Sequence, residues 1–235
     1  MNVVITGASR GLGKAIAEPF AADKQGHTIL LCSRSKEKLE QTAKELQGRF
    51  PRTNIKWFAC DLGNKQDAQH FGSWVLEQVL QIDVLVNNAG SFVPGSVHNE
   101  PDGALEEMIA VNLYSAYHLT RKLLPCMMEQ KRGHIFNMCS IAALKAYNNG
   151  GAYSISKFAL LGFTKNLREE LKSFNIKVTA VIPGAAYTDS WASSGVDPQR
   201  IMQASDIAAL IYASAHLSSQ ACVEDIVVRP QLGDL

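Results

Sequence analysis

Tyr153 and Lys157 stand four residues apart in GAYSISKFALL, residues 151–161. Phe158 and Leu161 give this stretch a helical apolar pattern, so both polar side chains leave the same helix face. Two readings are open for the pair. One is a surface lysine beside a half-buried tyrosine. The other is an acid–base pair, in which a nearby ammonium favours the phenolate and draws the hydroxyl down from its usual pKa of about 10. A phenol that exchanges protons near neutrality needs a shift of up to about 3 units, or about 4 kcal/mol.

The elements that must position such a pair are legible as an alternation. Strand patterns fall at 2–6, 28–33, 55–60, 83–87, 134–139, 177–182 and 225–228, several of them continuously apolar, as in strands covered on both faces. Helix-length patterns fall near 11–24, 35–48, 64–81, 102–130, 152–173 and 205–217. This order predicts an α/β fold: a Rossmann-type, doubly wound parallel sheet of about seven strands with helices on both faces. No repeat or linker interrupts it, so one domain over 1–235 is expected. The Ala-, Ser- and Gly-rich stretch 184–204 is the expected substrate lid. Pro19 is expected to kink the first helix near its second turn, since a mid-helix proline costs roughly 3 kcal/mol.

The first strand runs into TGASRGLG, residues 6–13, at the start of a helix. Gly7, Gly11 and Gly13 permit a tight turn and bring the backbone close to a pyrophosphate at the helix N-terminus. Position makes this signal specific: three glycines in any other turn would mean little. Ser9, Arg10 and Leu12 complete the turn. The second strand ends at Ser33, followed by Arg34, where an NAD site carries an acidic residue. A hydroxyl and two guanidiniums suit a 2′-phosphate that a carboxylate would repel, which points to NADP(H) over NAD. The bland alternative is that both arginines are solvated surface charges. Asp61, with Leu62, ends the third strand and either accepts from an adenine amino group or caps the helix starting near Asn64. In NNAG, residues 87–90, Asn87 and Asn88 can tie strands together while Ala89 and Gly90 leave room for a cofactor.

With TGASRGLG, NNAG, Asn112 in AVNLYSA, Ser140 in NMCSIAA, YSISK and PGAAYT in view, the chain resembles the short-chain dehydrogenase/reductase family from residue 3 to about 188. The resemblance implies a nicotinamide cofactor and a catalytic set of Asn112, Ser140, Tyr153 and Lys157, with Ser140 at the family's interval before Tyr153. It also gives Tyr153 and Lys157 a share in cofactor binding, places Pro183 and Gly184 beside the nicotinamide, and puts Thr188 on its carboxamide. Carbonyl reduction needs a hydride at carbon and a proton at oxygen. Tyr153 would supply the proton, Ser140 would bond the carbonyl oxygen where charge develops, and Asn112 would hold a water in a proton relay from Lys157.

The substrate is less legible. Trp191 either stacks on a flat substrate ring or packs the lid. The ending EDIVVRPQLGDL, with PGAAYTDSW, resembles bacterial members of the sepiapterin reductase group, in which Asp234 would accept from a pterin. A 3-oxoacyl-carrier-protein reductase is the competing reading, with Lys131 and Arg132 as cations for an acidic carrier and Phe174 standing where a second cation is expected. A non-catalytic NADP(H) sensor is the reading from another class.

Composition limits the partners. The 235 residues are 46% hydrophobic and 19% charged with a net charge of +1, giving no field that favours nucleic acid or an acidic membrane. No apolar run reaches the length of a membrane span, and no metal site is suggested. Five scattered cysteines in apolar stretches read as reduced packing residues of a cytoplasmic protein. The expected partner is a small carbonyl substrate. A homodimer or homotetramer is implied by the resemblance, through helices near 112–130 and 152–173, with Ala159, Leu160 and Phe163 at the contact or in the core.

Overall fold

The computed structural model describes residues 1–188 and 195–234. Seven of its strands form one parallel sheet: β1 (Asn2–Thr6), β2 (Thr28–Ser33), β3 (Asn54–Ala59), β4 (Val84–Asn87), β5 (Gly133–Met138), β6 (Ile176–Pro183) and, last in the chain, β9 (Asp225–Val228). The order across the sheet is β3-β2-β1-β4-β5-β6-β9. All seven expected strands are present, each within a residue of its predicted bounds.

Alternation along each strand splits the core in two. Val3, Ile5, Ile29 and Leu31 face one way, against α1 (Gly11–Ala22), α2 (Lys36–Arg49) and α7 (Ala204–Ala215). Val4, Leu30, Leu85 and Val178 face the other, against α3 (Lys65–Gln78), α5 (Ser115–Gln130) and α6 (Gly151–Leu171). That division explains why the strands read as continuous apolar runs.

Three expectations need correction. The single helix predicted over 102–130 is three pieces: α4 (Ala104–Ile109), a π-helical turn over Ala110–Tyr114, and α5. Pro19 lies in the third turn of α1, and the helix continues past it to Ala22; Pro125 is similarly accommodated in α5. The stretch 184–204 holds two short strands, β7 (Ala186–Tyr187) and β8 (Met202–Gln203), paired in parallel, so the ends of the expected lid are fastened together. Trp191 lies outside the described residues.

Candidate active site

The switch between β1 and β4, where the order of strands reverses, sets the site's location. The turn after β1 places Gly7 at φ 64° and Gly11 at φ 54°, conformations that favour glycine. Gly13 is required for another reason. A Cβ there would stand 2.4 Å from the Gly7 carbonyl oxygen and 2.7 Å from Asn88 Nδ2. Asn88 is the fastener of this turn: its Nδ2 donates to the carbonyls of Thr6 (2.8 Å) and Gly7 (3.2 Å). Thr6 Oγ1 in turn accepts from the main-chain N–H groups of Asn88 and Ala89, both at 2.9 Å. One strand over, Asn87 Nδ2 donates to Asn137 Oδ1 at 2.8 Å and Thr120 Oγ1 at 3.0 Å, tying β4 to β5. Both asparagines thus perform the strand-tying expected of them.

A cavity of about 210 Å³ opens above this turn. Of the residues expected to bind the cofactor, Gly7, Ser9, Arg10, Ser33, Arg34, Asp61, Leu62, Ala89 and Gly90 line it. Ser9 and Ser33 join their hydroxyls at 2.8 Å across its wall. Asp61 does not cap α3; Asn64 does, accepting from Gln66 and Asp67, while Asp61 Oδ1 accepts from Gly63 N at 3.0 Å. Sequence reasoning missed Ser35, Lys38, Cys60, Gly63 and Val111 in the same wall. Lys38 had a signal, since it lies one turn into the helix that Ser35 caps. With Arg10 and Arg34 it brings three cationic residues to the wall of the cavity.

Gly90 joins this cavity to the predicted catalytic set. A Cβ on Gly90 would meet Asn112 Oδ1 at 3.0 Å and Lys157 Nζ at 3.6 Å, so the bare glycine keeps that passage open. Lys157 is 6% exposed; its Nζ donates to the Met138 carbonyl at 2.8 Å and lies 5.7 Å from the Tyr153 ring centre. Burial draws its pKa down to about 8. Burial also raises the Tyr153 hydroxyl above its ordinary value, while a hydrogen bond with Ser140 pulls the other way. The expectation that the phenol is depressed is therefore not met. Desolvation outweighs the Ser140 hydrogen bond, and the phenol keeps its proton.

Asn112 sits in the π turn and is almost fully buried. Its Nδ2 donates to Ser156 Oγ (2.9 Å) and the Ser91 carbonyl (3.1 Å), and its Oδ1 accepts from Ser91 N (2.8 Å). Ser156 Oγ donates to the Tyr153 carbonyl at 2.7 Å. The side chain is thus a brace between the turn after β4 and the helix bearing Tyr153, with one Oδ1 lone pair left for a water. Ser140 follows β5 and its Oγ accepts from Ala142 N at 3.1 Å.

Thr188 packs on the glycine turn: its Cβ would be 3.5 Å from a Cβ added at Gly11. Pro183 ends β6, and Gly184 N donates to the Val228 carbonyl at 2.8 Å. Asp234 lies over Gly184, 3.1 Å from where a Cβ would stand, and its Oδ2 accepts from Arg229 at 3.0 Å. The tail is fastened, since Arg200 donates to the carbonyls of Leu232, Gly233 and Asp234. Phe92, unnoticed in the sequence, stands edge-on to Tyr153 at 4.9 Å and is half exposed.

The family model for short chain dehydrogenases matches residues 1–199. The chain belongs to this family. It is 32% identical to the sepiapterin reductase of Chlorobaculum tepidum, over 99% of this chain and 97% of that one. Among solved structures, a metagenomic short-chain oxidoreductase in complex with NADP is similar at TM-score 0.83 and 32% identity, covering 98% of this chain and 97% of its own. A β-ketoacyl-[ACP] reductase from Bacteroides thetaiotaomicron is similar at TM-score 0.85 and 29% identity, covering 98% and 97%. The protein is an oxidoreductase of the short-chain dehydrogenase family, with the seven-stranded parallel sheet that its sequence implied. No helix among the described residues is long and apolar enough to cross a membrane. The five cysteines carry no disulfide; Cys32 and Cys139 are core residues, whereas Cys222 is exposed and corrects the expectation that all five serve packing.

Proposed function

We propose that the protein is an NADPH-dependent reductase of a ketone or related carbonyl, with a pterin side-chain ketone such as that of sepiapterin, or a small dicarbonyl, as substrate. One observation carries this reading. A buried ammonium stands 5.7 Å from the Tyr153 ring, on a glycine floor continuous with a cavity lined by Arg10, Arg34 and Lys38. The residues fit the cofactor: the open glycine turn leaves room for a pyrophosphate, and no carboxylate occupies the Ser33 position that faces a 2′-phosphate. When bound, NADPH supplies the hydride.

The chain's own groups do the rest. Tyr153 holds its proton because burial raises its pKa, and gives it to the carbonyl oxygen. Ser140 hydrogen-bonds that oxygen as charge develops on it. Lys157 offsets the negative charge left on the phenolate and replaces its proton through water beside Asn112. Pro183, Gly184 and Thr188 border the nicotinamide end. Phe92 gives a flat ring an aromatic wall, and Asp234, placed over Gly184, accepts from amino and ring N–H groups. That wall and the likeness to the Chlorobaculum enzyme favour the pterin reading.

The Bacteroides likeness supports a 3-oxoacyl-carrier-protein reductase as a second reading, although Arg132, one of its expected cations, is engaged by Asp83 at 3.0 Å. The buried Tyr153–Lys157 pair disfavours a sensor without turnover. Assembly as a homodimer or homotetramer in the cytoplasm belongs to the same reading. Ile155 and Phe158, exposed on α6, suit a contact between copies better than Leu160, which is core.

NADPH oxidation should be followed with sepiapterin, diacetyl and an acetoacetyl thioester in parallel. Greater kcat/KM for sepiapterin or diacetyl is expected; a preference for the thioester supports the second reading. Arg34→Asp should weaken NADPH binding by about 1–3 kcal/mol, the worth of a charge-assisted bond, and turn preference towards NADH. Unchanged NADPH affinity would count against this cofactor assignment.

A further inference from the structure

Remote from the active site, three potential metal ligands converge where α1 and α7 end. Asp23 caps the C-terminus of α1, His27 precedes β2, and His216 caps the C-terminus of α7. Asp23 Oδ2 lies 3.1 Å from His27 Nε2 and 3.5 Å from His216 Nε2, and all three atoms lie within 4.8 Å of one another. Ligand atoms held at 2.0–2.2 Å around a tetrahedral zinc ion stand about 3.3 Å apart, so two of these edges already have that length.

The hydrogen bonds around the cluster fix its protons. A main-chain carbonyl can only accept, so His216 Nδ1, 2.8 Å from the Tyr212 carbonyl, carries that ring's proton. In the neutral ring Nε2 then turns a bare lone pair on the Asp23 carboxylate. Two acceptors face each other, and a cation is what such a pair binds. The same carbonyl bond is the outer support that metal-bound histidines ordinarily have. Tyr212 supports the carboxylate in the same way, donating its hydroxyl to Asp23 Oδ2 at 2.7 Å. His27 Nδ1 lies 2.9 Å from the main-chain nitrogen of Met1. In the tautomer that carries its proton on Nδ1, His27 Nε2 is free to ligate the ion.

We propose that Asp23, His27 and His216 form a binding site for a first-row divalent cation, with zinc as the probe and water completing the shell. The ion ties the end of α1 to the end of α7, the two helices packed over one face of the sheet. Hydride transfer does not involve it.

The test uses untagged, chelator-stripped full chain at pH 8. Co2+ should bind at one per chain with visible d–d bands of nitrogen and oxygen ligation, lacking the thiolate charge-transfer band that the free cysteines would give. Zn2+ should raise the melting temperature. His216→Ala, at a position one-third exposed, and Asp23→Asn, which keeps an acceptor for Tyr212, should each lose metal affinity by more than about tenfold. Carbonyl reduction by His216→Ala should be unchanged. Sulfur-ligated cobalt, no stabilisation by Zn2+, or wild-type metal affinity in both variants would overturn the site.

Discussion

At the scale of single residues, Tyr153 and Lys157 share a buried environment that acts on them in opposite directions. Burial keeps the phenol protonated and makes the ammonium easier to deprotonate, its pKa drawn down to about 8. The acid is therefore loaded at neutral pH, while its supporting charge is lost first as pH rises. For the free enzyme, kcat/KM for carbonyl reduction should be level from pH 6 to about 7.5 and decline above about pH 8 as Lys157 becomes neutral. A profile level through pH 10 would remove the lysine's charge from the mechanism. The identities of both residues and their four-residue spacing were legible in the sequence. The balance of desolvation against charge was not, because it depends on β5, whose Met138 carbonyl holds the ammonium.

At the scale of elements, the glycine turn and the tip of β4 form one unit. Gly13 allows α1 to lie against the Gly7 carbonyl, and Asn88 then closes the turn from β4. Gly13→Ala forces α1 away from β1, and a loss of about 1–3 kcal/mol is expected, the range for overpacking, with weakened NADPH binding. Urea unfolding with parallel fluorescence titration of NADPH checks both; wild-type values in each would show that the turn has slack. The glycines were readable because turn, strand and helix follow directly in the chain. The π turn at Asn112 was not, since no local pattern separates it from the helix around it; it is set by Ser91 and Ser156. Lys38 and Phe92 were likewise hidden, being brought to the site by folding rather than by a motif.

Over the whole molecule, the alternation of strands and helices gave the sheet before any motif was considered, because the central strands are buried on both faces. Small elements escaped it: β7 and β8 hold two residues each, too few for a period. The buried polar ties between strands escaped it too. His134, on β5, is 4% exposed and lies 2.7 Å from Thr179 Oγ1 of β6; burial lowers its pKa to about 3. An unfolded histidine takes up a proton near pH 6.5, so stability is whole above that pH and falls as pH drops from 6.5 towards 3, by about 1.4 kcal/mol per unit. His134→Gln should flatten this slope. An unaltered slope in that variant would place the acid sensitivity elsewhere.

The central claim is that the Tyr153 hydroxyl delivers the proton in a hydride transfer from NADPH. Single-turnover NADPH oxidation with a carbonyl substrate tests it in Tyr153→Phe, which keeps the ring against Phe92 and removes only the oxygen. The account predicts a rate lower by about 10² to 10⁴ with NADPH binding unchanged. A variant that turns over at near the wild-type rate would contradict it.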